Sequence, residues 1–326
     1  MVTKNAKNVY RAHKPQHIKK YVLGKKLCAP VNFWQIDHKI KNILEAEGVT
    51  ILSSPRAWEK FGWVRKIFKE KPKEGYFVWV QKQPDSPLAT CVTLASPKTS
   101  QNLTNLLVIE KNIKAKANVV CHAAKNNLCG KHLAKGKLIL KENSSLEYNH
   151  LHSWGEKDLI FPDYEFILEK NSRLIYTYKN LFPPKNLKLT TTIHCGNSSS
   201  AQINFIVSGS KKSQTEIKDT IFLEGQNSQA IAKLRLVGKE KSQIIAFSKI
   251  IATSPSKGHL DCQGLLVDKG SKISLVPGLV CNNKEAQLTH EASIGKISEE
   301  ALTYLRTRGL NEKEAINLIV SGFLTI

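Results

Sequence analysis

The chain has 326 residues, 41% of them hydrophobic, and a mean hydropathy of -0.28, values typical of a soluble globular protein with a substantial core. Its formal net charge of +22 would suit an anionic partner. However, the lysines are spread along the chain without an Arg-rich block, which disfavours nucleic acid as the main partner. No apolar run approaches a membrane span, and the polar, basic residues after Met1 predict no signal peptide. We therefore expect a cytoplasmic protein.

The seven cysteines argue against a disulfide framework or a zinc ribbon. Their number is odd, they are widely spaced, and no two of them form a Cys-x-x-Cys motif. Reduced thiols, as in a cytosolic protein, fit this pattern better. The cysteines are residues 28, 91, 121, 129, 195, 262 and 281.

Residues 1–85 have a mixed character, and we expect them to form an N-terminal α/β region. Between Val31 and Leu52, apolar residues recur at helical spacing, which predicts a helix. These residues are Ile36, Ile40, Ile43 and Leu44. An aromatic-rich segment follows at residues 57–64, and the apolar run at 76–80 predicts a strand. We interpret the tryptophans of this region as core residues.

Residues 86–289 repeat a simple unit, in which an apolar triplet precedes a polar corner and the next strand. Examples are Leu138–Leu140 before Lys141–Ser145, and Phe166–Leu168 before Glu169–Arg173. Asn and Gly at the corners tolerate a left-handed backbone. The strands also alternate apolar and polar residues, so that one face is buried. Such repetition predicts a β-solenoid, although the same pattern is compatible with an antiparallel β-sandwich.

From residue 290 to 326 the periodicity becomes helical and predicts a hairpin of two short helices. Ser298 is a good N-cap for the first helix, and Gly309 suits its C-terminal end. Asn311 begins the second helix, with Glu314 three residues on, close to a capping box. Two short helices cannot bury both their faces alone. We therefore expect an apolar stripe that docks on the solenoid or on a partner.

Cys262, His290 and Glu291 offer a thiol, an imidazole and a carboxylate, the groups that bind iron and other transition metals. Cys262 lies two residues after Leu260, on the same face of the predicted strand, so its thiol is predicted to face inward. His290 and Glu291 are predicted to lie where the last strand meets the first helix. Taken singly, these residues are better explained as an inert buried cysteine and ordinary polar junction residues, and their combination with the helical hairpin is what favours a metal site. The chain has no Gly-x-x-x-x-Gly-Lys-Ser/Thr loop and is not itself an ATPase of that class.

The run from Cys262 to Phe323 resembles the SufB/SufD family of the SUF iron–sulfur cluster assembly system. It contains a cysteine before an apolar triplet, then His-Glu-Ala-Ser, Ile-Ser-Glu-Glu and Tyr-Leu-Arg-Thr-Arg-Gly, at residues 290–293, 297–300 and 304–309. Residues 101–110, followed by a strand ending at Cys121, and residues 150–154 also resemble this family. The resemblance covers roughly residues 76–326. SufD has Gly after the histidine, so His290 followed by Glu291 is similar to SufB.

This resemblance implies a mainly β protein, a right-handed parallel β-helix with an N-terminal α/β region and C-terminal helices. It implies a scaffold that is not an enzyme and holds a transient iron–sulfur cluster, with Cys262, Glu291 and His290 as metal ligands. It further implies that Cys121 receives sulfur as a persulfide, although Val120 and His122 depart from the family's usual Gly-Cys-Thr. An interior path from Cys121 to Cys262 would shield the sulfur.

The resemblance also implies partners: a SufC-type ABC ATPase on the C-terminal helices, and a cysteine desulfurase or sulfur-transfer protein as sulfur donor. The scaffold would pair with a SufB/SufD-type subunit or form a homodimer, in which each copy gives a different ligand to one interfacial site. Reduced flavin is a candidate cofactor. The alternative is a SufD-like paralogue without its own cluster. A polysaccharide-cleaving solenoid is disfavoured, because the 27 Asp and Glu residues lie mostly at corners.

Overall fold

The computed structural model describes residues 32–44 and 46–325. The described part of the N-terminal region combines short strands with two short helices. Its elements are β1 (Phe33–Ile36), β2 (Lys39–Ile43), β3 (Val49–Ser53), α1 (Ser54–Lys60), α2 (Gly62–Ile67) and β4 (Tyr76–Val80). The expectations for residues 1–31, including Cys28, lie outside the described residues.

From β4 onward the chain winds into a parallel solenoid of about eight turns. The further strands are β5 (Leu88–Leu94), β6 (Ser100–Ile109), β7 (Lys114–Ala123), β8 (Lys131–Leu140), β9 (Ser145–Ser153), β10 (Leu159–Leu168), β11 (Arg173–Phe182), β12 (Asn186–Cys195), β13 (Ser200–Gly209), β14 (Gln214–Leu223), β15 (Ser228–Gly238), β16 (Gln243–Ala252), β17 (Ser256–Leu266), β18 (Lys272–Cys281) and β19 (Gln287–Lys296).

Each turn gives one strand to each of two sheets. One sheet runs in the order β19-β17-β15-β13-β11-β9-β7-β5-β1-β2, and the other in the order β18-β16-β14-β12-β10-β8-β6-β4-β3. The strands from β4 to β19 pair in parallel with their neighbours one turn away. This confirms the predicted parallel β-helix and excludes the antiparallel sandwich, whose neighbouring strands would run in opposite directions.

The core lies between the two sheets, because alternate residues of every strand point inward. Tyr148, Tyr176, Phe205 and Leu234 are fully buried members of one continuous cluster that runs the length of the solenoid. Burying each such side chain contributes roughly 1.5–3 kcal/mol. The fold therefore rests on stacking successive turns, since no single turn can bury its inner face alone.

The corners use left-handed backbone at asparagines, as predicted. Asn112, Asn143, Asn171 and Asn227 have φ angles of 63°, 58°, 56° and 58°. Three of them also stack, since Asn143 Nδ2 donates to Asn112 Oδ1 at 3.1 Å and Asn171 Nδ2 donates to Asn143 Oδ1 at 3.0 Å. The repeated corner thus fixes the register between turns.

The helix predicted between Val31 and Leu52 is wrong, because the described residues there form β1, β2 and β3. Strand β1 pairs in parallel with β5, and β3 pairs antiparallel with β4. Asp37, with a φ of 49°, turns the chain between β1 and β2. Pairing with the solenoid's first turns overrides the helical spacing of Ile36, Ile40 and Ile43, and Ile40 is exposed.

The aromatic-rich segment forms α1 and α2, which cover the outer face of the sheet that contains β4. Trp58, Phe61 and Trp63 pack there in a second apolar cluster with Phe77 and Trp79. This cluster lies outside the solenoid. The interpretation of these tryptophans as packing residues is confirmed.

The C-terminal helical part begins at Glu299, later than the start predicted at residue 290. Residues 290–296 belong to β19, because they continue the parallel ladder with β17. The helices are α3 (Glu299–Thr307) and α4 (Glu312–Phe323). Their predicted caps are confirmed: Ser298 Oγ accepts a hydrogen bond from the Ala301 N–H at 3.2 Å, and Asn311 forms a capping box with Glu314.

The helical hairpin buries little of its own apolar surface. Within α3 and α4 only Ala315 is buried, whereas Tyr304 and Leu318 are exposed. Tyr304 and Leu318 are therefore accessible to a partner, while the residues of the predicted apolar stripe are half-buried. None of the described helices is long and apolar enough to cross a membrane.

Candidate functional site

The last turn of the solenoid contains Cys262, His290 and Glu291. Cys262 lies in β17, and the other two lie in β19, where His290 pairs with Leu260 and Glu291 with Asp261. Because alternate residues face opposite sides, His290 lies on the inner side with Cys262, and Glu291 lies on the outer side. Cys262 is buried, while His290 and Glu291 are exposed. One copy of the chain therefore does not bring Cys262 and Glu291 together.

The outer side of this turn is charged. Glu291 Oε1 lies 3.9 Å from His259 Nε2. Arg235 donates two hydrogen bonds to the Asp261 carboxylate, at 2.9 and 2.6 Å. Partial burial opposes ionisation of Asp261, but the bonds and charge of Arg235 bring its pKa below the usual value. Glu291 thus lies in a charged patch separated from the Cys262 thiol by the sheet.

Both sheets end at this turn. Strands β18 and β19 are terminal in the strand orders, each with a parallel neighbour on one side, β16 and β17 respectively. Val276 in β18 and Ile294 in β19 are exposed. Sheet edges of this kind are templates for pairing with another chain.

Cys262 faces an interior carboxyl group. Burial raises the pKa of the Cys262 thiol to about 12, and the charges of Asp219 and Asp261 act in the same direction. Asp219 is itself buried in β14, and burial raises its pKa to about 7. Ser248 Oγ donates to Asp219 Oδ2 at 2.6 Å, while Asp219 Oδ1 has no hydrogen-bond partner among the described residues. The acid is thus poised near neutral pH beside a protonated thiol.

Cys121 lies in β7, against two histidines of the next turn in the same sheet. Its Sγ atom is 3.5 Å from His150 Nε2, and His150 Nε2 is 2.9 Å from His152 Nε2. On its other side, His152 Nδ1 is 2.9 Å from the Tyr178 hydroxyl. All four side chains are buried. The register explains the contact, because Cys121 pairs with His152, and His150 pairs with Tyr178.

Burial sets the protonation of this cluster. It raises the pKa of the Cys121 thiol, and it lowers the pKa of His150 to about 3, with a smaller contribution from His132. It also lowers the pKa of His152 well below the usual value. Both imidazoles are therefore neutral at pH 7, and each has a nitrogen lone pair that can accept a proton or bind a metal.

A row of polar side chains leads from this cluster towards Cys262. Tyr164, Thr191, Asp219 and Ser248 occupy successive paired positions on the inner face of the opposite sheet, and all are buried. The Tyr164 ring is 5.1 Å from the His150 ring. The row spans the three strand steps from β10 to β16, roughly 14 Å at about 4.8 Å per step, whereas Cys121 and Cys262 lie five steps apart in the other sheet.

The polar row faces an apolar stretch of the opposite sheet. Between Tyr178 and Cys262, the paired positions of the facing sheet hold Phe205 and Leu234. Thr191 Oγ1 has no hydrogen-bond partner among the described residues. A buried hydroxyl without a partner costs free energy.

Sequence reasoning placed Cys121 and Cys262 inward, and both are buried as predicted. It gave no role to His150, His152 or Asp219. The sequence could have indicated the histidines. His150 and His152 are two residues apart and so share a strand face, and they lie about one solenoid turn after Cys121. Asp219 gave a weaker signal, as an acid at an inward position. The cysteines at 121, 129, 195, 262 and 281 are free thiols.

Residues 92–323 match a sequence profile described as SUF system FeS cluster assembly, SufBD core domain. The chain belongs to the SufBD family. A SufBD family iron–sulfur cluster assembly protein of Methanothermobacter thermautotrophicus is 27% identical over 320 residues, 90% of this chain and 78% of that protein. One of Archaeoglobus fulgidus is 29% identical over 299 residues, 86% and 80% of the two chains. The family resemblance is confirmed, and the SufB branch stays a prediction.

Proposed function

We propose that this SufBD protein is a scaffold on which an iron–sulfur cluster is assembled as transient cargo, with no catalytic turnover of its own. The observation that carries the proposal is the pair of buried thiols, Cys121 and Cys262, facing one interior and connected by the polar row. A structural subunit without its own cluster has no need of such an interior.

In this proposal Cys121 accepts sulfur from the persulfide of a cysteine desulfurase or sulfur-transfer protein. Burial disfavours both the thiolate of Cys121 and the imidazolium of His150, so the thiol proton moves to His150 Nε2, 3.5 Å away, only as sulfur transfer proceeds. The thiolate attacks the outer sulfur of the donor persulfide, so that a persulfide forms on Cys121 and the donor leaves as a thiolate. His150 then returns the proton to the departing donor thiolate, so that neither buried charge persists.

The polar row then lowers the cost of holding a charged sulfur species inside the solenoid. An anion in an apolar interior is strongly disfavoured unless it is hydrogen-bonded. The hydroxyls of Tyr164, Thr191 and Ser248 can donate to it, and Asp219 can do so when protonated. The closed sheets shield the sulfur from solvent and oxidants.

At the far end, Cys262 supplies a thiolate ligand and His290 lies on the same inner side. Glu291 faces outward, so we infer that it acts across an interface. A second copy, or a SufB/SufD-type partner, pairing at the edges of β18 and β19 would bring its own ligands to the thiol. A mixed Cys, His and carboxylate set holds a cluster less tightly than four thiolates, which suits release.

The hairpin of α3 and α4 is the proposed docking site for a SufC-type ABC ATPase. Its apolar side chains are accessible, and its capped helices are well defined. An amphipathic hairpin of this kind suits a groove on a partner. Reduced flavin remains a prediction, with no observation in its favour among the described residues.

Anaerobic reconstitution with iron, cysteine and a cysteine desulfurase tests the scaffold role. The wild-type chain should acquire iron and sulfide in equal amounts, and Cys262→Ser should lose most of both. Cys195→Ser is the matched control, because burial also raises the pKa of the Cys195 thiol to about 12. A Cys262→Ser variant with wild-type iron and sulfide would refute the site. A cluster that forms in a complex with a second subunit and does not require Cys262 of this chain would favour the SufD-like alternative.

A further inference from the structure

We propose that Cys121, His150 and His152 form a binding site for a divalent first-row transition metal ion of the Fe(II) or Zn(II) type, inside the solenoid. The site shares Cys121 with the proposed sulfur step. It requires neither a sulfur donor nor a cluster. It lies about five strand steps from Cys262 and is distinct from the cluster site at the last turn.

The spacing of the three ligand atoms fits a tetrahedral ion. With metal–sulfur bonds of about 2.3 Å and metal–nitrogen bonds of about 2.0–2.1 Å, a tetrahedral ion holds S and N about 3.5 Å apart and two N atoms about 3.3 Å apart. The corresponding distances are 3.5 Å for Cys121 Sγ to His150 Nε2 and 2.9 Å between the two Nε2 atoms. All three ligand atoms lie within 4.8 Å of one another. The two imidazole nitrogens would separate by a few tenths of an ångström, and Cys121 Sγ and His152 Nε2, which lie within 4.8 Å of each other, would come to about 3.5 Å.

Hydrogen bonding alone leaves the cluster incompletely satisfied. His150 Nε2 meets both the Cys121 sulfur and His152 Nε2, while His150 Nδ1 has no hydrogen-bond partner among the described residues. A neutral imidazole carries one proton, so His150 leaves either a lone pair or an N–H unpaired. A metal ion would take the lone pairs of both Nε2 atoms and the thiolate at once. Cys121 and His152 would then no longer compete for one hydrogen bond to His150 Nε2.

The surrounding side chains already orient the ligands. His152 Nδ1 contacts the Tyr178 hydroxyl at 2.9 Å, which directs His152 Nε2 into the cluster. Such contacts to the second ring nitrogen are typical of metal-binding histidines. The His150 ring also packs edge-on against Tyr164 and Tyr178. Three protein ligands leave a fourth position for a small anion such as hydroxide or hydrosulfide.

Metal binding would change what Cys121 can do. A coordinating thiol is deprotonated outright, so the raised pKa of Cys121 does not prevent binding. The bound thiolate cannot at the same time carry a persulfide in the manner proposed above. Metal occupancy and sulfur loading at Cys121 should therefore exclude each other.

The test uses the full chain, stripped with a chelator and then loaded separately with Co(II), Zn(II) and, anaerobically, Fe(II). Because the site is buried, each ion is offered both to the folded protein and during refolding. The expected result is one tightly bound equivalent after desalting, with Co(II) absorption typical of a tetrahedral thiolate site. Cys121→Ser and His152→Gln should bind at least tenfold more weakly.

Cys195→Ser is the matched control, since it changes a buried cysteine outside the cluster, and it should retain the ion. If a cluster variant fails to fold, X-ray absorption of the loaded wild-type protein should still find one sulfur and two imidazole neighbours. No bound ion after either loading, or an unchanged Co(II) spectrum in folded Cys121→Ser, overturns the site. Cys262→Ser should lose the cluster but keep this ion, so the two proposals fail separately.

Discussion

The Sγ atom of Cys121 lies 3.5 Å from Nε2 of His150, in an interior that keeps the thiol protonated and the imidazole neutral. In this pair the thiol can react as a thiolate if its proton moves to the imidazole during sulfur transfer, or if a metal ion replaces the proton. The proposed chemistry of Cys121 therefore depends on a histidine one turn away.

His150→Gln should slow persulfide formation at Cys121 by a factor on the order of 10²–10⁴, because it removes the proposed base. The rate should also become more dependent on high pH. Mass spectrometry of Cys121 after timed exposure to a persulfide donor measures this. His194→Gln, which changes a histidine of β12 that contacts Glu224, is the control and should leave the rate close to that of wild type. An unchanged rate in His150→Gln would remove His150 from the step.

Acid should destabilise the protein through its buried histidines. The pKa values of His132 and His150 are lowered to about 3 by burial, so the unfolded chain binds more protons between about pH 6.5 and 3. The contribution of these histidines to the free energy of unfolding should be fully present above about pH 6.5. It should fall with decreasing pH, by about 1.4 kcal/mol per pH unit for each such group. Urea midpoints at pH 7 and 5 measure this. Burial lowers the pKa of His152 as well, so His152→Gln should make the free energy of unfolding depend less steeply on pH. An unchanged dependence would contradict the neutral, buried state described for His152.

Asp219 should make the protein less stable as the pH rises, which is opposite to the effect of the buried histidines. Its pKa is raised to about 7 by burial, so the folded state keeps a proton that the unfolded chain loses above about pH 4. Its contribution to stability is therefore present at low pH and lost as the pH rises towards 7. Asp219→Asn should be more stable than wild type at pH 8, and the gain should shrink at pH 5. An equal difference at both pH values would show that Asp219 does not titrate as described.

The interior between the two thiols should be sensitive to cavities. Leu234 is fully buried beside Cys262 in the neighbouring strand, and Leu234→Ala should cost about 2–5 kcal/mol. Ile231 lies in the same strand but is 43% exposed, so Ile231→Ala is the matched control and should cost far less. Denaturant midpoints compare the two. Equal losses would argue against the described packing of β15.

The solenoid was predictable because its signals are local. Each apolar triplet and polar corner, such as Phe166–Leu168 before Asn171, indicates one turn by itself. The caps at Ser298 and Asn311 are local in the same way. The segment from Val31 to Leu52 was misassigned because its strands exist through pairing with β4 and β5, which no local pattern contains.

The candidate site was predictable only in part. The alternation of inward and outward residues along each strand placed Cys121 and Cys262 inside. This alternation does not say which residues of other turns they contact. The contact of Cys121 with His150 depends on the register between turns, and the nearness of Asp219 to Cys262 depends on the opposite sheet. For the same reason the outward direction of Glu291 became evident only from its pairing with Asp261 in β19.

A labelled-sulfur chase tests the central claim, that one interior route joins Cys121 to Cys262. The chain is loaded anaerobically with labelled sulfur from a persulfide donor, the donor is removed, and iron and a reductant are added. In wild type the label should leave Cys121 and appear in the cluster, whereas in Cys262→Ser it should stay on Cys121. A cluster that gains label equally fast in Cys121→Ser would contradict the account.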